Sequence, residues 1–140
     1  MIYFFIGGKK SSKEITKLKT LANQNNLSPK KTGQWQAGAI GLDKEQNKLF
    51  FINNSDKDDL LIVDISEIIH CNVSKQYNTE QVHETGLSIL KKVSLHLKLK
   101  HNKEVNIPVY DAEVQPTPGS DLLEAIEWEK IINDKIRQTK

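Results

Sequence analysis

The C-terminal segment carries the strongest periodic pattern of apolar and polar side chains in the sequence. At about 100° per residue, a helix over residues 120–137 gathers one group of side chains on a single stripe. The stripe contains Leu122, Ala125, Ile126, Trp128, Glu129, Ile132, Asn133 and Ile136. The pattern predicts an amphipathic helix that buries this face. We expect the Glu129 carboxylate to reach water at the rim of the face, and the alternative is an ion pair with a lysine of a strand.

The second clear pattern is a strict alternation of apolar and polar residues, which predicts a β-strand over residues 92–100. Its apolar positions are Val93, Leu95, Leu97 and Leu99, and its polar positions are Lys92, Ser94, His96, Lys98 and Lys100. After a predicted hairpin turn at residues 101–103, a return strand places Val105, Ile107 and Val109 inward, and Glu104, Asn106, Pro108 and Tyr110 outward. Proline has no amide hydrogen to donate to a neighbouring strand, so Pro108 favours an edge strand.

Between residues 35 and 86, short apolar runs alternate with polar turns. We predict strands over residues 35–42, 48–52, 60–65 and 67–74, with turns at residues 43–47 and 53–58. The first of these runs is rich in glycine and alanine, which suits a strongly bent strand. Residues 76–86 contain almost no apolar side chain and are predicted to form a long loop. Short strands joined by such turns are typical of an antiparallel meander.

A weaker amphipathic pattern predicts a first helix over residues 11–25. Ser11 and Glu14 have the spacing of a capping box, and three asparagines end the pattern. Its narrow apolar stripe of Ile15, Leu18, Leu21 and Ala22 predicts peripheral packing, and residues 27–33 are predicted to be a linker. Residues 1–6 are wholly apolar. We interpret them as a short strand or an exposed tail, and the alternative is the end of a membrane anchor whose cytoplasmic flank is Lys9 and Lys10.

Several one-sided strands followed by one amphipathic helix predict an α+β fold that is mainly β. The strands would form an antiparallel, partly open barrel or sandwich of about six or seven strands, and the C-terminal helix would cap its apolar end. An N-terminal helix is added to this unit. We predict an N-terminal tail, helix and linker over residues 1–33 and a single domain over residues 34–140.

Composition and charge narrow the classes of function. The chain has 140 residues and a formal net charge of +2, so it has no global positive field that would recruit nucleic acid. It has a single cysteine, Cys71, which excludes an internal disulfide and fits a reducing compartment. We therefore expect a cytoplasmic protein.

The central strands resemble those of bacterial pleckstrin-homology-like domains. The resemblance rests on the run Leu49-Phe50-Phe51-Ile52, a polar turn, the run from Leu60 to Ile69 with its Asp64-Ile65 pair, the alternating hairpin, and a closing helix with Trp128 and Ile132. It covers residues 35–136 and implies a binding or scaffolding domain without an active site. Some such domains follow an N-terminal membrane helix. Phosphoinositide-binding members carry a basic motif at the first hairpin, whereas residues 43–48 here are nearly neutral.

The only concentrated group of positive side chains lies on the polar side of the predicted hairpin. It consists of Lys92, His96, Lys98, Lys100 and Lys103, with His101 in the turn. Such a face suits anionic lipid or a nucleic-acid backbone. The simpler interpretation is that these residues form the solvent-exposed face of an antiparallel sheet, where lysines discourage aggregation. We expect Glu104 and Asn106 to face some of these side chains across the hairpin and to weaken the positive charge.

No grouping of side chains predicts catalysis, a cofactor or a metal. His70 and Cys71 are adjacent, so a strand would direct them to opposite faces, and Cys71 and the two tryptophans are expected in the core. His96 and His101 lack a carboxylate or thiol at ligand spacing. An enzyme using His70, His83 or His96 as a base is the least favoured hypothesis. We expect a non-enzymatic binding or scaffolding module with a protein partner, tethered to the inner face of the membrane if residues 1–6 belong to an anchor. The alternative is association with nucleic acid or anionic lipid through the basic face.

Overall fold

A computed structural model describes residues 5–53, 60–78, 89–115 and 119–138 of the chain. Within these ranges the chain forms two helices and seven strands. They are α1 (Phe5–Gln24), β1 (Lys31–Trp35), β2 (Gly38–Asp43), β3 (Lys48–Asn53), β4 (Leu61–Asp64), β5 (Ile68–Asn78), β6 (Ile89–Leu99), β7 (Glu104–Asp111) and α2 (Asp121–Gln138). A short 3₁₀ turn at Ile65–Glu67 links β4 to β5.

The strands form two antiparallel sheets, one in the order β1-β2-β3-β4 and one in the order β5-β6-β7. Their inner faces enclose the main apolar core, which α2 completes with Ala125, Trp128, Ile132 and Ile136. The predicted mainly β fold with an N-terminal and a C-terminal helix is therefore confirmed, as a sandwich rather than a closed barrel. Residues 54–58 of one predicted turn, most of the predicted loop at 76–86, and residues 1–4 lie outside the described residues.

Helix α1 covers the outer face of the first sheet. Leu18 and Ala22 are fully buried there against Ala39, Phe50 and Ile52. The apolar stripe was thus predicted correctly, but the helix begins at Phe5, so Ser11 lies in its interior and cannot act as an N-cap. Phe5 and Ile6 are helical rather than extended, because the helix continues through both glycines into the apolar segment.

The end of α1 is closed by backbone hydrogen bonds of a Schellman motif. The Leu27 amide donates to the Ala22 carbonyl at 2.8 Å, and the Asn26 amide donates to the Asn23 carbonyl at 3.1 Å. Asn26 is in the left-handed region with φ 58°, a conformation that asparagine tolerates better than most residues. The prediction that asparagines end the first helix is confirmed.

The predicted bent strand over residues 35–42 is wrong, because this segment contains the turn of a hairpin. Strand β1 begins at Lys31, inside the predicted linker, and Gln36 and Ala37 form the turn into β2. The small residues serve close packing instead of bending. A Cβ added at Gly38 would overlap the Ile52 carbonyl oxygen, so this position requires glycine.

The alternation predicted for the central strand of the second sheet is confirmed. Val93, Leu95 and Leu97 are buried, and the turn after β6 has two consecutive left-handed residues, His101 and Asn102. These conformations belong to a type I′ hairpin turn, whose twist matches that of the strands. Strand β7 is an edge strand of its sheet, as Pro108 predicted.

A β-bulge in β7 reverses the predicted orientation of Tyr110. Val93 pairs with Tyr110 whereas Ser94 pairs with Pro108, which leaves Val109 as the extra residue. After the bulge the alternation changes phase, so Tyr110 is 2% exposed instead of pointing outward. The Val109 carbonyl accepts from the Ala37 amide at 3.1 Å, and this bond joins the two sheets.

Helix α2 was predicted at nearly the correct bounds, but one member of its buried stripe is wrong. Ile126 is 43% exposed, because it lies at the edge of the stripe beyond Asn133. Asp121, which lies between Trp128 and Ile132 on the helical wheel, is buried. Its carboxylate accepts from the Gln36 amide at 3.1 Å and so fixes the start of α2 to the β1–β2 turn.

Polar side chains of α2 bond the free edge of β5. Asn133 accepts from the Cys71 amide at 3.0 Å and donates to the Cys71 carbonyl at 2.8 Å, as a neighbouring strand would. The Glu129 carboxylate accepts from the Val73 amide at 2.7 Å, so its partner is a backbone amide rather than a lysine, and its side chain is half-buried. These contacts satisfy backbone groups that an edge strand would otherwise leave unpaired.

Replacing Asn133 with alanine should lower the free energy of unfolding by about 2 kcal/mol, because it leaves the Cys71 amide and carbonyl without partners. Urea titration followed by circular dichroism measures this loss. Light scattering at the same protein concentration should rise, since the uncovered edge can pair with another chain. Lys130→Ala, an exposed change on the same helix, serves as the control and should alter stability by less than about 0.5 kcal/mol. Equal stabilities of the two variants would contradict the role given to Asn133.

Candidate functional site

The predicted basic residues lie together on the outer side of the second sheet. Lys92, His96 and Lys98 project from β6, and Lys100 and Lys103 flank the hairpin turn at its end. The four lysines are exposed and His96 is half-buried. Strand β6 is the middle strand of the sheet, so its outer side chains have neighbours on both β5 and β7.

The register of the sheet places further polar side chains beside them. On the β5 side, Lys98, His96, Ser94 and Lys92 lie opposite His70, Asn72, Ser74 and Gln76. On the β7 side, the same sheet face presents Glu104, Asn106 and Pro108. We call this outer side of β5, β6 and β7 the polar face. Among the described residues, no other secondary-structure element covers it.

Acidic partners on β7 reduce the positive charge of the polar face. Lys98 lies opposite Glu104, and Lys92 lies opposite Asp111. The Glu104 carboxylate is also 2.7 Å from His96 Nε2. The prediction that Glu104 and Asn106 face the basic residues is confirmed, since Asn106 is opposite His96. The centre of the face is therefore nearly balanced in charge, and the unbalanced lysines are those at the turn.

A hollow of about 390 Å³ lies on this face near the β-bulge. Its floor is shallow because the facing pair Ser74 and Ser94 has short side chains, and Pro108 lies opposite Ser94. Hydrogen-bonding groups surround it, namely those of Ser74, Gln76, Lys92, Ser94, Asn106 and Asp111. The hollow offers hydroxyls, amides, one ammonium and one carboxylate. This set can bind a ligand that presents both hydrogen-bond donors and acceptors.

Cys71 is unsuited to act as a nucleophile. It is fully buried, as expected from the sequence, and His70 beside it is exposed on the polar face. Burial, together with the negative charge of Glu129, raises the pKa of the Cys71 thiol to about 12. The thiol is therefore neutral at physiological pH, and the thiolate is the reactive species. His83, the other histidine considered as a base, lies outside the described residues.

Metal-binding clusters and membrane-spanning helices are absent from the parts of the chain that the structure describes. No group of three or more His, Cys, Asp or Glu side chains there is arranged to hold a metal ion. None of the described helices combines the length and apolar character needed to cross a membrane. Both tryptophans are buried in the main core, as predicted.

The sequence pattern did not identify the hollow itself. Its β5 and β7 side chains, such as Ser74, Gln76 and Asp111, are brought to Lys92 by strand register and by the bulge. Register between β5 and β6 depends on the connection between them, which gives no periodic signal. Serines facing each other across two strands are also common on any solvated sheet, so residue type alone did not distinguish them.

Comparison with family models finds no match for this chain, and comparisons with curated proteins and with solved structures find none either.

Proposed function

We propose that this chain is a non-enzymatic binding module with a pleckstrin-homology-like fold, which presents its polar face to a protein partner. One observation carries the proposal. The first sheet is covered on its outer side by α1 and on its inner side by the main core, whereas the polar face of the second sheet is covered by no described element and contains a hollow lined by hydrogen-bonding side chains.

The arrangement of elements supports the pleckstrin-homology-like part of the proposal. Seven antiparallel strands in two sheets are followed by a helix that packs Trp128 and Ile132 into the core between them. The sequence resemblance implies this order. The Asp64-Ile65 pair, on which the resemblance partly rests, marks the transition between the sheets, where Asp64 accepts from the Ser66 amide at 3.0 Å.

The charge pattern favours a protein over a polyanion as the partner. Lys92 and Lys98 each lie opposite a carboxylate, so a phosphate approaching the centre of the face meets both signs. A protein surface offers donors and acceptors in comparable numbers, and this matches the hydroxyls, amides and paired charges of the hollow. The proposal places the module in the cytoplasm, where its buried thiol stays reduced.

Site-specific photo-crosslinking in the native host tests this proposal. The photoreactive residue p-benzoylphenylalanine replaces Asn106, which is exposed beside the hollow, or Lys44, which is exposed in the β2–β3 turn as a control. We expect a discrete protein adduct from position 106 and none from position 44. Adding Ser94→Arg, which fills the hollow, should remove the adduct while leaving the melting temperature within a few degrees of the parent. Equal labelling at both positions, or an adduct that persists with Ser94→Arg, would show that the polar face is not the binding surface.

The second candidate is association with an anionic surface through the turn of the β6–β7 hairpin. It is favoured by Lys100 and Lys103, which are exposed and form no ion pair with any described residue. Co-sedimentation with anionic and neutral vesicles at low and physiological salt tests it. Each lysine near a charged surface contributes about 1 kcal/mol, so Lys100→Gln with Lys103→Gln should weaken binding roughly tenfold or more. Lys44→Gln with Lys130→Gln is the control. Binding that is equal for both vesicle types and independent of these lysines would instead indicate attachment through the N-terminal segment.

A further inference from the structure

Helix α2 lies between the free edges of the two sheets, but its side chains form hydrogen bonds with the strand at only one of these edges. On one side it bonds β5 through Asn133 and Glu129. On the other side is β1, the edge strand of the first sheet. There the Asp121 carboxylate bonds only the amide of Gln36, which lies beyond the end of β1. The edge of β1 itself is therefore left without side-chain partners from α2 in the described part of the chain.

The backbone groups that point out of this edge can be assigned. The Leu42 carbonyl of β2 points toward β1, because it accepts from the Lys30 amide at 3.0 Å. Hydrogen-bonded residues alternate along an antiparallel strand, so Gly33 and Trp35 share the bonds to β2. The amides and carbonyls of Thr32 and Gln34 consequently point away from the sheet. Within the described residues these four groups have no hydrogen-bond partner.

These groups open into a cleft of about 500 Å³ between the two helices. Its walls are Thr16 and Lys19 of α1 and Glu124 of α2, and its floor is residues 32–34 of β1. The Gln34 side chain lines this floor, and its Oε1 atom is buried and accepts no hydrogen bond from any described residue. A buried acceptor without a partner costs free energy, and a bound donor would recover it.

We propose that this cleft binds an extended peptide segment of a partner protein, which adds to β1 as a further strand and directs a lysine or arginine toward Glu124. A peptide backbone supplies the alternating amides and carbonyls that Thr32 and Gln34 lack. This site is separate from the polar face, on a different sheet, and does not depend on the function proposed for that face.

The charges around Glu124 of α2 favour a basic side chain in the bound peptide. Burial raises the pKa of Glu124, and the neighbouring charges of Glu127 and Asp121 raise it further, whereas Lys31 lowers it. The ionised carboxylate is thus poorly compensated in the free protein, and a cation from a bound peptide would stabilise it. Lys19 on the opposite wall disfavours a second basic side chain there.

A single extended segment suits the cleft better than the β1 edge of a second copy does. That edge lies between the same two helices, which would have to approach their counterparts for two β1 strands to pair. A single extended segment without flanking helices meets no such obstacle.

Amide NMR titration of the full chain tests the inference. The probes are the peptide acetyl-TVKVTV-amide, its lysine-to-glutamate analogue, and an analogue in which the central valine is replaced by proline. We expect shifts at the Thr32 and Gln34 amides with the lysine peptide and much smaller shifts with the other two. Glu124→Gln should weaken the lysine peptide by roughly two- to fivefold, as expected for a partly exposed ion pair. Glu113→Gln, an exposed acidic change at the end of β7, should have no effect.

Several results would overturn the inference. These are no shift at Thr32 or Gln34 at millimolar peptide, equal binding of the lysine and glutamate peptides, and shifts of these amides with protein concentration alone, which would mean self-association. Shifts confined to β6 and β7 would likewise exclude the cleft and leave the polar face as the binding surface.

Discussion

A Gly33→Val variant is expected to unfold with a free energy about 3 kcal/mol lower than that of the wild type. The Trp128 indole lies directly on Gly33, and a Cβ at this position would overlap its Nε1 atom. Trp128 is 1% exposed and enclosed by the main core, so it has no space into which it can withdraw. Overpacking of a closed core costs about 1–3 kcal/mol or more, and valine adds two further methyl groups. Urea denaturation followed by tryptophan fluorescence measures the change.

Two additional variants separate steric overlap from a general effect of valine in β1. Thr32→Val places the same side chain one residue earlier, on the opposite side of the strand, and should change stability by less than about 1 kcal/mol. Adding Trp128→Leu to Gly33→Val removes the overlapping ring. The double variant should therefore lose less than the sum of the two single losses, with a coupling energy of roughly 1 kcal/mol or more. If the losses of unfolding free energy were additive, Gly33 would not be needed to make room for the Trp128 indole.

Asp43→Ala is the second change with a large expected effect, a loss of about 3 kcal/mol. The carboxylate is completely buried and accepts from the Ser28 amide at 2.8 Å, the Gln46 amide at 3.0 Å and Gln46 Nε2 at 3.1 Å. It joins the segment after α1 to the β2–β3 turn. Alanine leaves these donors unsatisfied, each at a cost of about 1–3 kcal/mol before relaxation. Urea titration at pH 7 gives the value, and Asp43→Asn, which keeps one acceptor oxygen, should lose less.

Asp43 also predicts a pH dependence of stability whose sign is fixed. Burial alone would raise the pKa of its carboxyl, but hydrogen bonds from the Ser28, Gln46 and Glu45 amides outweigh burial and lower it below 3.8. The stabilisation is therefore complete above the unfolded pKa and is lost as pH falls through the folded pKa. Asp43→Asn should flatten this part of the acid unfolding curve.

Asp121 provides a comparison within the same protein, because the pKa of its carboxyl is shifted in the opposite direction to that of Asp43. Burial raises the pKa of its carboxyl above 3.8, so the folded protein binds this proton more tightly than the unfolded chain does. The corresponding stabilisation is present below pH 3.8 and is lost as pH rises through the folded pKa. As pH rises toward neutral, Asp121→Asn should therefore lose less stability than the wild type does. Asp43→Asn should instead change the dependence of stability on pH at the acid end. Identical pH profiles for the two variants would contradict both assignments.

The parts of the fold that were predictable are those with local periodic patterns. Strand β6 alternates without exception and α2 has one mainly apolar stripe, and both were located within a few residues. The β1–β2 hairpin was missed because its turn, Gln36-Ala37, contains no glycine, proline or asparagine and sits inside a run of small apolar residues. Tyr110 was misoriented because one extra residue in β7 changes the phase of the alternation, and this bulge depends on pairing with β6.

The candidate sites were predictable only in part for a related reason. The basic residues of β6 and its turn were identified because one strand carries them. The hollow is assembled from β5, β6, β7 and the β1–β2 turn, and the cleft is assembled from α1, β1 and α2. The roles of their residues follow from register and helix placement. Glu129 shows most clearly what a sequence pattern cannot predict. Its position within an apolar stripe marked it as unusual, but its partner is a backbone amide 56 residues earlier, which no pattern of side chains can indicate.

The bonds between Asn133 and Cys71 have a consequence for synthesis of the chain. These residues are 62 positions apart, and α2 is made after the seven described strands. At a translation rate of about 5–20 residues per second, roughly 3–12 s pass between the synthesis of β5 and that of its partner. Throughout that interval the nascent sheet has an uncovered edge, so on polysomes neighbouring chains can pair through it before α2 arrives. The yield of native protein is then expected to depend on how well the edge of β5 is protected during this interval, and not only on the stability of the finished fold.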